Sequence, residues 1–123
     1  MPGLRGVIDH MAKPRIADGI LEPWQNQMSA IAKHPNLYCK LSGMVTEANH
    51  QEWQPSDFVA YIKHVIEIFG TERVMFGSDW PVCLLAGSYD QVVDLLNQAL
   101  PEAITEQQRA RLFGENAKVF YHL

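Results

Sequence analysis

The segment Val74-Met75-Phe76-Gly77-Ser78-Asp79-Trp80-Pro81 decides the fold class. It opens with β-forming residues and is closed by glycine, an acidic residue and proline, which is typical of a short strand that runs into a loop. Two earlier segments share this design, namely Gly6-Val7-Ile8-Asp9-His10 and Asn36-Leu37-Tyr38-Cys39-Lys40-Leu41-Ser42-Gly43. The sequence therefore predicts three short strands, over 6–10, 36–43 and 73–79.

Helical patterns separate and follow these strands. Apolar residues recur at helical spacing from Pro23 to His34 and from about Ser56 to Phe69. Capping boxes that begin at Ser88 and at Thr105 predict two further helices, and the apolar tail 116–123 predicts a final short one. The order β-α-β-α-β-α-α predicts parallel strands joined by crossover helices, which is an α/β fold.

Composition narrows the classes of protein that the chain can belong to. Its 123 residues are 47% hydrophobic and 20% charged, which suits one globular domain, or a piece of one, over 1–123 and argues against disorder or a coiled coil. The formal net charge of -4 and the scattered basic residues argue against a nucleic-acid partner. The sequence contains neither an apolar run long enough to span a membrane nor a secretory signal. With only two cysteines, Cys39 and Cys83, we expect a cytoplasmic protein with reduced thiols.

The longest irregular stretches all follow the carboxyl ends of the predicted strands. They are residues 13–22, 44–55 and 80–87, and α/β sheets and barrels carry their ligand sites in such loops. His10 and Asp79 stand at the carboxyl ends of the first and third strands. A histidine and an aspartate that converge there are candidates for an acid–base pair or a metal site.

Each of these residues also has a purely structural interpretation. His10 at a strand end can be a hydrogen-bonded structural residue, and Asp79 before Trp-Pro can cap a turn. Lys40 is expected to be solvated or salt-bridged rather than catalytic, and the two cysteines to pack as small hydrophobes. Glu115-Asn116 is expected to cap the last helix. The sequence contains no glycine-rich phosphate loop, no G-x-S-x-G elbow and no H-E-x-x-H motif.

Taken together, the strand ends resemble the C-terminal part of the amidohydrolase-related (amidohydrolase 2) family, in particular its fuconolactonase-like and dicarboxylate-lactone hydrolases. The segments that carry the resemblance are 8–14, 38–43 and 74–81, followed by a closing Gly114-Glu115-Asn116-Ala117. The resemblance implies that the chain forms three βα units, strands six to eight, of a distorted TIM (β/α)8 barrel.

The resemblance also implies roles for individual residues. Asp79 matches the family's aspartate after the eighth strand, which orients or deprotonates the water or metal-bound hydroxide that attacks a carbonyl. Asp79 would be a metal ligand in members that use a divalent metal such as zinc. His10 matches the histidine after the sixth strand, which binds the substrate carbonyl or lies beside the metal. Trp80 and Lys13 would contact a small-molecule substrate, which would be a lactone or a related cyclic ester or C–N compound.

The chain also departs from the family. The H-x-H motif that follows the family's first strand is absent, and a full barrel takes about 250 residues. We therefore expect weak or no hydrolysis by this chain alone, so whether it is an enzyme by itself stays open. The alternative is a non-catalytic truncated isoform or interaction fragment, which two unpaired sheet edges and an apolar inner face would drive to self-associate or to pair with the missing barrel part. A third alternative is a free-standing doubly wound binding module.

Overall fold

The sheet of the computed structural model, which describes residues 4–123, has three parallel strands in the order β1-β2-β3. The strands are β1 (Gly6–Ile8), β2 (Leu37–Leu41) and β3 (Val74–Phe76). Cys39 of the central strand is the register partner of Ile8 on one side and of Val74 on the other. The predicted α/β order with parallel strands is confirmed.

Helical segments fill the connections between the strands and the chain after β3. The α-helices are α1 (Trp24–Ile31), α2 (Met44–Glu47), α3 (Val59–Phe69), α4 (Tyr89–Ala99), α5 (Glu106–Ala110) and α6 (Asn116–Tyr121). Short 3-10 turns cover Asp9–Ala12, Pro55–Phe58 and Val82–Leu85, and a π-helical turn covers Arg111–Glu115. The stretches 44–55 and 80–87, predicted to be irregular, therefore each contain a short helical segment. No helix among the described residues is long and apolar enough to cross a membrane.

The first and third strands are shorter than predicted. β1 ends at Ile8 and β3 at Phe76, whereas the sequence pattern extended them to His10 and Asp79. Both of these residues have a left-handed backbone, with φ of 51° for His10 and 60° for Asp79, which an extended strand does not allow. Tight turns, rather than strand alternation, therefore set the directions of the two side chains.

The two predicted capping boxes are confirmed. At the start of α4, the Gln91 backbone N–H donates to Ser88 Oγ at 3.1 Å, and the Ser88 N–H donates to Gln91 Oε1 at 2.7 Å. Thr105 and Gln108 make the same reciprocal pair before α5, at 3.1 and 2.9 Å. Each pair satisfies two backbone donors that the first helical turn leaves without partners.

The predicted cap at Glu115-Asn116 is wrong. Both residues have helical backbone angles and lie where the π-helical turn continues into α6. The buried Asn116 side chain instead donates to the carbonyl oxygens of Thr71 and Val74, each at 2.7 Å. Because a buried amide must be hydrogen-bonded, these contacts fix the C-terminal helix against the start of β3.

The core lies on one face of the sheet. Along β2, Cys39 and Leu41 are fully buried, while Tyr38 and Lys40 on the opposite face are partly exposed, as the alternation predicts. The buried side of α3 contributes Ile62 and Val65, and the remaining large buried side chains come mainly from α1, α4 and the turns. The opposite face carries Tyr38, Lys40 and the buried Met75, so it is mixed rather than uniformly apolar as predicted.

Both cysteines are free and buried, as expected. Burial raises the pKa of the Cys39 thiol from 9.0 to about 12. Between these pH values the unfolded chain releases the thiol proton and the folded chain keeps it. The free energy of unfolding must therefore fall as the pH rises through this window.

We predict that Cys39→Ala flattens this alkaline loss of stability. Urea unfolding of both proteins from pH 7 to pH 11 should show a slope that is smaller in the variant by roughly 1 kcal/mol per pH unit above pH 9. Burial also raises the pKa of Tyr61, and this contribution is common to both proteins. Equal slopes would contradict the prediction.

Candidate active site

Three polar side chains meet where the three strands end. His10 follows β1, Ser42 follows β2 and Asp79 follows β3. His10 Nδ1 lies 2.8 Å from Ser42 Oγ, and His10 Nε2 lies 3.7 Å from Asp79 Oδ1. The structure thus brings together the histidine and the aspartate that the sequence pattern singled out. The imidazole also has the hydrogen-bonded contact expected of a structural histidine.

Asp9 completes a small charged cluster that sequence reasoning missed. Its Oδ2 lies 3.3 Å from His10 Nε2, and its Oδ1 lies 3.5 Å from Lys40 Nζ. Strand alternation assigns Asp9 and His10 to opposite faces, but the turn brings Asp9 to Lys40 and His10 to Asp79, with Asp9 and His10 also in contact. Lys40 is thus salt-bridged, which is one of the two structural roles expected for it. Because the Asp9 side chain is 60% exposed, this ion pair adds little stability.

Two glycines make room for the cluster. Gly43 has φ of 64°, and a Cβ atom on it would lie 2.8 Å from both Cγ and Nδ1 of His10. A Cβ atom on Gly77 would lie 3.0 Å from Lys40 Cδ and 3.1 Å from Ser42 Cβ. The His10 ring therefore packs directly on the backbone at Gly43, an approach that any side chain there would block.

The two predicted substrate contacts lie in different surroundings. The Trp80 side chain is 63% exposed, directly after Asp79, and its backbone N–H donates to Ser78 Oγ at 3.2 Å. Lys13 lines a cavity of about 190 Å³ together with residues such as Glu22 and Gln27, and neither His10 nor Asp79 lines it. Trp80 thus adjoins the cluster through its place next to Asp79 in the chain, whereas Lys13 lies at a separate concave surface.

A larger cavity, of about 490 Å³, lies between the loop after α2 and helix α4. Its walls include His50, Trp53, Gln91 and Asp94, and none of the predicted site residues. The Trp53 indole N–H donates to the Ala86 carbonyl at 2.7 Å. Trp53 and Ala86 both line this cavity, so its wall includes a contact that connects the two loops.

Cys83 lies close to Asp79 but is not a candidate nucleophile. Its side chain is fully buried, and its backbone N–H donates to the Asp79 carbonyl at 2.8 Å. Burial raises the pKa of the Cys83 thiol, and the negative charge of Asp79 raises it further. The thiol is therefore neutral near neutral pH, and a neutral thiol is a poor nucleophile.

The described residues do not form a complete metal site. Over residues 4–123, no three side chains of histidine, cysteine, aspartate or glutamate converge closely enough to hold an ion. Zinc sites in proteins usually have at least three protein ligands. If Asp79 binds a metal, as predicted, the ion therefore needs further ligands from beyond residues 4–123.

Comparison with known proteins identifies the family. The family model described as Amidohydrolase matches residues 1–123, so the chain belongs to the amidohydrolase family. It is 44% identical to an L-fucono-1,5-lactonase of Burkholderia ambifaria and 37% identical to one of Burkholderia multivorans. These matches cover 99% and 95% of this chain and 43% of each lactonase.

A solved structure agrees with this assignment. A crystal structure of an amidohydrolase from Burkholderia multivorans with bound zinc superposes with a TM-score of 0.90 at 37% identity. The match covers 95% of this chain and 43% of that one. The chain thus spans about two fifths of the length of the relatives that it matches, and the structural neighbours are TIM-barrel amidohydrolases.

We predict that Gly43→Ala displaces the His10 ring and destabilises the fold. The matched control is Gly19→Ala, because Gly19 has the same φ of 64° but nothing within 4 Å of an added Cβ. Both variants carry the same backbone strain at positive φ, but only the added Cβ of Gly43→Ala collides with the imidazole. In urea unfolding, Gly43→Ala should cost about 1–3 kcal/mol more than Gly19→Ala. Equal losses would show that the ring does not pack on Gly43.

Proposed function

We propose that the chain forms strands six, seven and eight of a (β/α)8 hydrolase barrel, and that this barrel opens a lactone or a related cyclic ester. The observation that carries the proposal is the His10–Asp79 pair at the carboxyl ends of β1 and β3. Its position matches the face on which TIM barrels build their active sites. The similarity to two L-fucono-1,5-lactonases supports a sugar lactone as the substrate class.

The geometry supports a division of labour between the two side chains. His10 Nε2 and Asp79 Oδ1 are 3.7 Å apart, too far for a direct hydrogen bond, so neither group occupies the other and the two can contact different reactants. In the proposed reaction, Asp79 accepts a proton from a water molecule whose oxygen attacks the lactone carbonyl carbon. His10 donates a hydrogen bond from Nε2 to the carbonyl oxygen as negative charge develops there.

The second half of the reaction opens the ring. The bond between the carbonyl carbon and the ring oxygen breaks, and that oxygen takes up the proton that Asp79 received. The product is a hydroxy acid. The exposed indole of Trp80, next to Asp79, offers a flat apolar surface for one face of a sugar ring. Lys13 lines a separate concave surface, so we give it no part in the ring opening, and a zinc ion would need ligands from other barrel strands.

We predict that Asp79→Asn abolishes lactone hydrolysis. The test joins this chain to the preceding part of the Burkholderia ambifaria lactonase and follows opening of L-fucono-1,5-lactone by acid release. The variant should lose at least about 100-fold in rate because it lacks the proton acceptor. Asp90→Asn, at an exposed position on α4, is the matched control and should keep full activity. The chain by itself should show weak or no hydrolysis. Full activity of Asp79→Asn would overturn the proposed mechanism.

Exposed strand edges favour a role in assembly as well. Among the described residues, β1 and β3 each pair only with β2, so each has one edge with unpaired backbone groups. Such edges are templates for pairing with further strands. We propose that in the whole protein these edges pair with the remaining strands of the barrel.

We predict that the isolated chain associates through these edges. Size-exclusion chromatography with light scattering should give a mass above the 14.0 kDa of one chain. Val7→Lys, on the β1 edge strand, should lower the association, because lysine on an edge strand opposes pairing. Val59→Lys, on an exposed part of α3, should not. A wild-type chain that runs as a single 14.0 kDa species would contradict the proposal.

A further inference from the structure

The two ring nitrogens of His10 face different chemistry. Nε2 lies near two carboxylate oxygens, Asp9 Oδ2 at 3.3 Å and Asp79 Oδ1 at 3.7 Å. Nδ1 lies 2.8 Å from the hydroxyl oxygen of Ser42. Ionised carboxylates can only accept hydrogen bonds, whereas a hydroxyl can both donate and accept. In the neutral imidazole the proton therefore belongs on Nε2, and Nδ1 accepts a hydrogen bond from the Ser42 hydroxyl.

We infer that Ser42 is the positioning residue of His10: its hydroxyl donates to Nδ1 and so holds the ring in the Nε2–H tautomer, with that N–H on the Asp79 side. The inference deepens the proposed function and rests on it, because the Nε2–H group is the one assigned to the lactone carbonyl. Ser42 touches no reacting atom in this arrangement and acts only through His10.

The surroundings of Ser42 make it suitable for this role. It directly follows β2 and is 1% exposed, so bulk water does not compete for its hydroxyl. Gly43, the next residue, packs against the imidazole, so the hydroxyl and the backbone hold the ring at neighbouring points. Gly77 leaves the space beside Ser42 Cβ free, since a Cβ there would come within 3.1 Å.

A second histidine–serine contact in the chain supplies a matched control. Ser29 Oγ lies 3.2 Å from His64 Nε2, but that nitrogen also lies 3.0 Å from the carbonyl oxygen of Gln25. A carbonyl oxygen only accepts, so the carbonyl by itself fixes the proton on His64 Nε2. Ser29 is thus dispensable for its histidine, whereas Ser42 is the partner of Nδ1 in His10.

The test is nitrogen NMR of the imidazole rings in the 123-residue chain, at an alkaline pH at which histidines are neutral. Long-range proton–nitrogen correlations distinguish the two tautomers, and His10→Gln assigns the His10 signals. Wild-type His10 should show one tautomer, protonated on Nε2, with the Nδ1 resonance shifted by its hydrogen bond. Ser42→Ala should lose that shift and show both tautomers, and Ser42→Thr should restore the single form. Ser29→Ala should leave the signals of His10 and His64 unchanged.

Two results would overturn the inference: wild-type His10 protonated on Nδ1, or His10 signals that are the same in Ser42→Ala and wild type. If Ser42→Ala does not fold, the wild-type tautomer together with the hydrogen-bond shift in Ser42→Thr decides the question. The outcome is independent of the activity assay. If Ser42→Ala loses the single tautomer, but this chain joined to the preceding part of the lactonase does not hydrolyse the lactone, the proposed function is defeated and the positioning role stays intact. If hydrolysis depends on Asp79 but the His10 tautomer is the same in Ser42→Ala and wild type, the positioning role is defeated and the proposed function stays intact.

Discussion

The parallel pairing of β2 with a strand on each side is the constraint on which the rest of the structure depends. Because parallel strands end at the same edge of a sheet, the residues that follow β1, β2 and β3 must come together. β1 and β3 contain only three residues each, so the pairing needs support from outside the sheet. Burial of Cys39, Leu41 and Val74 under the helices supplies it.

The sequence was sufficient to predict the features that local chemistry determines. Helical periodicity and the capping residues Ser88 and Thr105 predicted the helices after β3, and the β-rich runs predicted three parallel strands. These predictions succeeded because an amphipathic stripe or a capping hydroxyl acts within a few residues of itself. His10 and Asp79 were found by the same logic, since each follows a predicted strand.

The parts that could not be predicted depend on backbone turns and on distant contacts. His10, Met11, Ala12 and Lys13 all have φ between 51° and 58°, and nothing in strand alternation anticipates four successive left-handed residues. That turn places Asp9 in the charged cluster. The contact of Gly43 with His10 joins residues more than thirty positions apart, and Asn116 reaches back to β3 over a similar distance. Gly43, which directly follows the predicted second strand, is a sequence signal from which such a close approach could have been inferred.

Membership of the amidohydrolase family relates these contacts to a hydrolase active site. In the proposed barrel, the described residues supply a histidine, an aspartate and the serine and glycine that hold the histidine in place. A complete metal site and a closed sheet would both require the strands that the longer relatives carry in addition. The His10–Asp79 pair therefore lies at the carboxyl ends of the strands, while the two outer strands each keep one side available for further pairing.

The most direct test of this account is a crystal structure of the 123-residue chain. We predict that β1 and β3 both pair in parallel with β2. His10 Nε2 should lie about 3.7 Å from Asp79 Oδ1, with Ser42 Oγ hydrogen-bonded to the other ring nitrogen. A structure in which either outer strand leaves β2, or in which the His10 ring turns away from Asp79, would contradict it.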